Sequence, residues 1–117
     1  MSLPATKNMT YYRGDTLEFS IRPLDSEGAA IDLSAYDATF TIATARGAAP
    51  SFSLVADAVI VANVINCTIT PDDGATLSSG TSYVYDVEVG NPVGGPYTTV
   101  YTYVTGTMTV TDDVSNA

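Results

Sequence analysis

The chain has 117 residues, 45% hydrophobic and 15% charged, which suffices for one core and is too apolar for a disordered chain. Its net charge is −9, and all four basic residues (Lys7, Arg13, Arg22, Arg46) precede position 47. A chain so short of cations cannot neutralise a run of phosphates, so neither nucleic acid nor an anionic membrane is an expected partner.

Residues 1–7 read as a loose lead-in, without the charged start and apolar run of a signal peptide. No segment approaches the roughly 18 apolar residues of a membrane span. A first strand is expected over Met9–Tyr12, and Arg13-Gly14-Asp15 then turns the chain. That tripeptide also occurs in integrin ligands, but a glycine supplying a bend between strands accounts for it. Thr16 to Arg22 alternates without an error, placing Leu17, Phe19 and Ile21 on one face and Thr16, Glu18, Ser20 and Arg22 on the other. With Phe19 in the core, Phe19→Ala is expected to cost roughly 3–5 kcal/mol. Pro23 stops the strand, Asp25-Ser26-Glu27-Gly28 reads as a tight turn, and Ile31–Tyr36 is too short for more than one capped turn.

Ala38–Ala43 is the next strand, with Phe40 and Ile42 inward, and Gly47-Ala48-Ala49-Pro50 ends it. Two short strands are expected at Phe52–Val55 and Val59–Val61, followed by a turn at Asn63. Ile65, Cys67 and Ile69 form another inward row, so Cys67 reads as a small buried hydrophobe and not as a reactive thiol. Thr70-Pro71-Asp72-Asp73 combines an N-cap, a first-turn proline and acids at the positive end of a helix dipole, which predicts helical turns over 71–78.

Tyr83, Tyr85, Val87 and Val89 share one face of a further strand, with Asp86 and Glu88 opposite. Tyr83 is placed to hydrogen-bond back across the corner. After the loop 90–96, a long strand over Thr98–Thr111 keeps Val100, Val104, Met108 and Val110 on one parity. Gly106 falls in that row and reads as a bulge or bend. On this parity Tyr101 and Tyr103, with Tyr97, form an exposed aromatic stripe, the candidate partner-contact surface. The tail 112–117 is expected to fray.

Seven or eight short strands at regular spacing predict a single all-β domain over 1–117, a two-sheet antiparallel sandwich with an up-and-down barrel as the competing closure. Its expected core is Leu17, Phe19, Ile21, Phe40, Ile42, Ile65, Cys67, Ile69, Tyr85, Val87, Val104, Met108 and Val110. With no histidine and one cysteine, no zinc site of the usual ligands and no Ser-His-Asp or Cys-His centre can be built. The carboxylate pairs are explained as helix-start residues (Asp72, Asp73), a solvated strand face (Asp86, Glu88) and a divergent pair (Asp112, Asp113). No Asp-x-Asp-x-Asp-Gly calcium spacing occurs. No catalytic residue, metal or cofactor is therefore expected.

The ordered series Tyr12-Arg13-Gly14-Asp15-Thr16-Leu17-Glu18-Phe19, Ile31-Asp32-Leu33-Ser34-Ala35-Tyr36, Thr68-Ile69-Thr70-Pro71-Asp72-Asp73 and Gly106-Thr107-Met108-Thr109-Val110 carries a resemblance. It resembles the small β-sandwich domains of tailed-bacteriophage and prophage virion proteins, the N-terminal domain of the baseplate upper protein among them. The likeness runs from about residue 9 to 113, and residues 44–62 depart from it. It implies an immunoglobulin-like sandwich and a non-enzymatic virion component, made in the bacterial cytoplasm, that assembles with other tail or baseplate proteins or with itself. The residues alone also admit a carbohydrate- or adhesin-type module of a bacterial surface protein, with Tyr97, Tyr101 and Tyr103 stacking on sugars.

Overall fold

The computed structural model describes residues 5–47 and 52–112. Its elements run β1 (Ala5–Thr6), β2 (Met9–Arg13), β3 (Leu17–Ile21), β4 (Asp37–Ala43), β5 (Ser53–Val61), β6 (Val64–Ile69), α1 (Pro71–Gly74), β7 (Ser82–Asn91) and β8 (Thr99–Asp112). The fold is all-β: one sheet in the order β1-β8-β7-β4-β5-β6-β3, with β2 also on β8, curls into a half-barrel. Strand β5 joins the two layers, since Phe40–Ala43 of β4 pair with its first half while β6 pairs with Asp57–Val61. The two short strands expected here are one continuous strand. Its inward residues at the changeover, Ala56 and Ala58, are too small to sustain a visible alternation.

Pairing is antiparallel except at one edge, where β1 and β2 both run parallel to β8. The wholly antiparallel expectation is corrected there, because the opening segment lies along β8 before Gly14 (φ +90°) sends the chain to the other layer. Residues 5–7 are also not loose. Lys7 N donates to Thr105 O at 2.9 Å, and Asn8 Oδ1 accepts from Thr107 N at 3.1 Å. Residues 1–4, 48–51 and 113–117, which hold the rest of the expected fraying ends and part of the Gly47–Pro50 break, lie outside the described residues.

Phe40, Ile42, Ile65, Cys67, Ile69, Tyr85, Val87, Val104, Met108 and Val110 are buried, joined by Tyr11, Leu33, Leu77, Tyr83 and Val89. Leu17, Phe19 and Ile21 face the same cluster but are only half-buried. Among the described residues strand β3 pairs with β6 alone, and one side of its inner row is open there.

The Arg13-Gly14-Asp15 turn is bound inward. Tyr11 Oη donates to Asp15 O at 2.7 Å and accepts from Gly14 N at 3.2 Å. Arg13 donates to Leu77 O at 2.8 Å and Ala75 O at 2.9 Å, satisfying carbonyls just past α1. Thr70 Oγ1 accepts from Asp73 N at 3.2 Å, the N-cap bond. The helix stops at Gly74, short of the expected 78, because Gly74, Thr76, Ser78, Ser79 and Gly80 are poor helix formers. Ser78 N donates to Tyr83 Oη at 2.8 Å, which makes Tyr83 a tyrosine corner.

The β5–β6 hairpin turns through Ala62 and Asn63, both at positive φ (51° and 63°), a geometry matched to the twist of its strands. Asn63 Oδ1 also accepts from Leu33 N at 2.9 Å, which fastens the segment 31–36 against the hairpin. Gly106 is not a bulge, since it stays in register opposite Tyr85. A Cβ there would fall on the Lys7 carbonyl, the oxygen to which Tyr85 Oη donates at 2.6 Å. The irregularity lies instead between Val87 and Glu88, where β8 carries one extra residue, Tyr103.

Candidate functional site

That extra residue reverses the alternation of β8. Val104 opposes Val87, but Thr102 opposes Glu88 and Tyr101 opposes Val89, so Tyr101 joins the inner row and Val100 points out, 49% exposed. The shared parity expected for Val100 and Val104 is thereby corrected. Tyr101 stands 6.3 Å from Tyr36 and 6.5 Å from Tyr103, ring centre to ring centre. With Ile31 and the opposing Leu24, Asp25 and Ser26, these rings line an open groove of about 560 Å³.

The far wall of the groove is a hairpin tip shaped by its own hydrogen bonds. Leu24 bridges Ala30, and Asp25 Oδ1 accepts from Glu27 N at 2.9 Å and Ala29 N at 3.0 Å. Burial, and then the nearby Tyr36 and Tyr101, push the Tyr103 hydroxyl above its ordinary pKa, so it stays neutral across the physiological range. Such a groove offers stacking faces and hydroxyls.

Tyr97 is not part of this groove. Its ring lies across Gly90, where a Cβ would collide with it, and its hydroxyl donates to Asp37 Oδ2 at 2.9 Å. Gly94 N donates to the same oxygen at 2.9 Å. The backbone bond from Gly94, and then that from Tyr97, hold the Asp37 carboxyl below its usual value. This fastening is complete above the ordinary carboxylate range and is lost as pH falls through the Asp37 pKa. The structure thus brings Tyr101 and Tyr103 together, sets Tyr97 apart, and adds Tyr36. Tyr36 lies in a turn with no periodicity, so no pattern in the sequence pointed to it.

On the other sheet face, Asp86 and Glu88 sit among Thr39, Thr41, Thr102 and Thr105 of the paired strands. Desolvation raises both carboxyls; Arg46 opposes the rise at Asp86, while Asp86 adds to it at Glu88. The Arg46–Asp86 pair is 3.9 Å long and only half-buried, so it offsets little. Acids with raised folded pKa values favour the fold at low pH, and that benefit is lost as pH rises through those values. Glu88→Gln is therefore expected to raise the melting temperature at about pH 7 and to shrink the gain on acidification to about pH 5, read from thermal melts at both.

Cys67 is buried and its thiol is pushed up to about 12 by desolvation, so it stays protonated and unreactive. Among the described residues, no three acidic, cysteine or histidine side chains converge as a metal site. Val55, Val59 and Val61 project from the outer face of β5, 65%, 57% and 59% exposed, with the exposed Asp57 in the same row between Val55 and Val59. No helix among the described residues is long and apolar enough to cross a membrane. No protein-family model matches the chain, and no curated protein is similar to it.

Proposed function

We propose that this chain is a non-enzymatic structural module of a tailed-phage or prophage particle, a tail or baseplate component that works through protein–protein contacts. The observation that carries the reading is the outer row of β5, where Val55, Val59 and Val61 stand exposed with Asp57 between the first two. Three valines this exposed on one strand make a surface that a partner covers in an assembly. The ordered motifs of the resemblance run through both layers of the sheet and supply the class of assembly. The side chains on view stack and hydrogen-bond, which suits adhesion between subunits and not turnover.

The test is co-expression with the products of the flanking genes, together with mass spectrometry of particles released from the source bacterium. The reading expects the chain in the particles and a complex with a neighbouring tail, baseplate or tape-measure product that Val59→Glu weakens. Absence from particles together with no complex would overturn it. A second reading, a carbohydrate- or adhesin-type module, draws on the Tyr36-Tyr101-Tyr103 groove, whose faces suit sugar rings. Glycan-array binding lost on Tyr101→Ala, with the fold intact by circular dichroism, would favour that reading over the first.

A further inference from the structure

We infer that the unpaired edge of β3 is a self-complementary docking surface for a second copy of this chain, adding strand to strand across a two-fold axis at Ser20. The pairing rests on the edge geometry alone and is independent of the assembly in which the module serves.

Strand direction and hairpin geometry say which groups the edge offers. The two-residue loop Ala62-Asn63 makes Val61 and Val64 a hydrogen-bonded pair, so Val64 directs its N–H and C=O at β5. One residue on, Ile65 directs its groups the other way, toward β3, as do Cys67 and Ile69. Their partners Ile21, Phe19 and Leu17 are thereby satisfied. Glu18, Ser20 and Arg22 turn their backbone groups outward, and among the described residues no backbone group bonds to them there. Such a row is a template for another strand.

The side chains match only one simple partner. With Ser20 opposite Ser20 of an antiparallel copy, Glu18 meets Arg22 twice, and Phe19 meets Ile21 twice on the inner face. The charged residues are exposed and the apolar pair is half-buried, which leaves an apolar row open on the side the second copy would cover. Beside that row lies a cleft of about 240 Å³ whose lining includes Lys7 and Ser20 as well as Met9, Phe19, Ile21 and Val104. A single strand pair is a small interface, so the dimer is weak and concentration-dependent.

Sedimentation equilibrium up to about 1 mM protein tests this, a range set by the weakness of so short an interface. The native chain is expected to approach twice its monomer mass. Glu18→Arg and Arg22→Glu are each expected to raise the dissociation constant roughly tenfold or more, since each puts like charges opposite one another. A one-to-one mixture of the two variants restores pairing, because every contact is again between opposite charges. Ser20→Pro removes an outward N–H and keeps the backbone bonds of Phe19 and Ile21 to β6, losing there only the 2.9 Å side-chain bond from Ser20 Oγ to Asn66 Oδ1, and is expected to give a folded monomer. Thermal melts confirm that each variant is folded. A strictly monomeric native chain, or a dimer indifferent to these substitutions, overturns the inference.

Discussion

Phe40→Ala is expected to destabilise the fold by roughly 3–5 kcal/mol, and Phe19→Ala by about 2 kcal/mol. Phe40 has no exposed surface and meets two rings edge-on, Phe19 at 5.2 Å and Tyr85 at 5.9 Å. Removing it opens a cavity between the layers that neighbouring strands, fixed on both sides by β5 and β7, cannot close. Phe19 faces the same cluster and also touches Tyr85 at 6.5 Å, but from an edge strand where water already reaches part of its ring. Its loss therefore forfeits less transfer energy and leaves a dent and not a void. Urea midpoints at constant m-value measure both. Equal costs would mean that β3 is covered on both sides.

Gly106→Ala is expected to cost about 2–4 kcal/mol, the sum of overpacking and of one displaced hydrogen bond. In an open strand position the same change would gain about 0.5–1 kcal/mol, so the sign itself is diagnostic. The methyl would occupy the place of the Lys7 carbonyl and push away the link between β1 and β2. Tyr85 would then lose its 2.6 Å bond to that oxygen. Tyr85→Phe alone is expected to cost about 1 kcal/mol, and little more when added to Gly106→Ala. Additive costs in the double variant would show that the glycine and the tyrosine act on different parts of the chain.

The strand rows of β3, β4, β6 and β7 were legible because each alternates over at least five residues, and only one register puts its apolar members inside. The helix start was legible for a local reason, since Thr70, Pro71, Asp72 and Asp73 each suit one position of a first turn. What escaped depended on distant partners. Tyr103 looks like any strand residue, and nothing in its neighbourhood announces that β7 has one residue fewer opposite it. That extra residue sets the face of Val100, while Tyr97 is set apart by its packing on Gly90 and its bond to Asp37, partners that alternation does not show. Gly106 stands out in its apolar row, but its reason lies at the far end of the chain, in the carbonyl of Lys7. The continuity of β5 is hidden by Ala56 and Ala58, and the parallel pairing of β1 and β2 with β8 leaves no trace in composition. The groove depends on distant partners too: Tyr36, just before β4, meets Tyr101 of β8 across β7.

Hydrogen exchange along β3, followed residue by residue by NMR in dilute solution, goes most directly to the central claim of a curled sheet with one face of an edge strand left open. Slow exchange is predicted at Phe19 and Ile21, bonded to Cys67 and Ile65, and fast exchange at the alternate positions Glu18 and Ser20. Uniform protection of all four amides in the monomer, or protection at the even positions alone, would contradict the account.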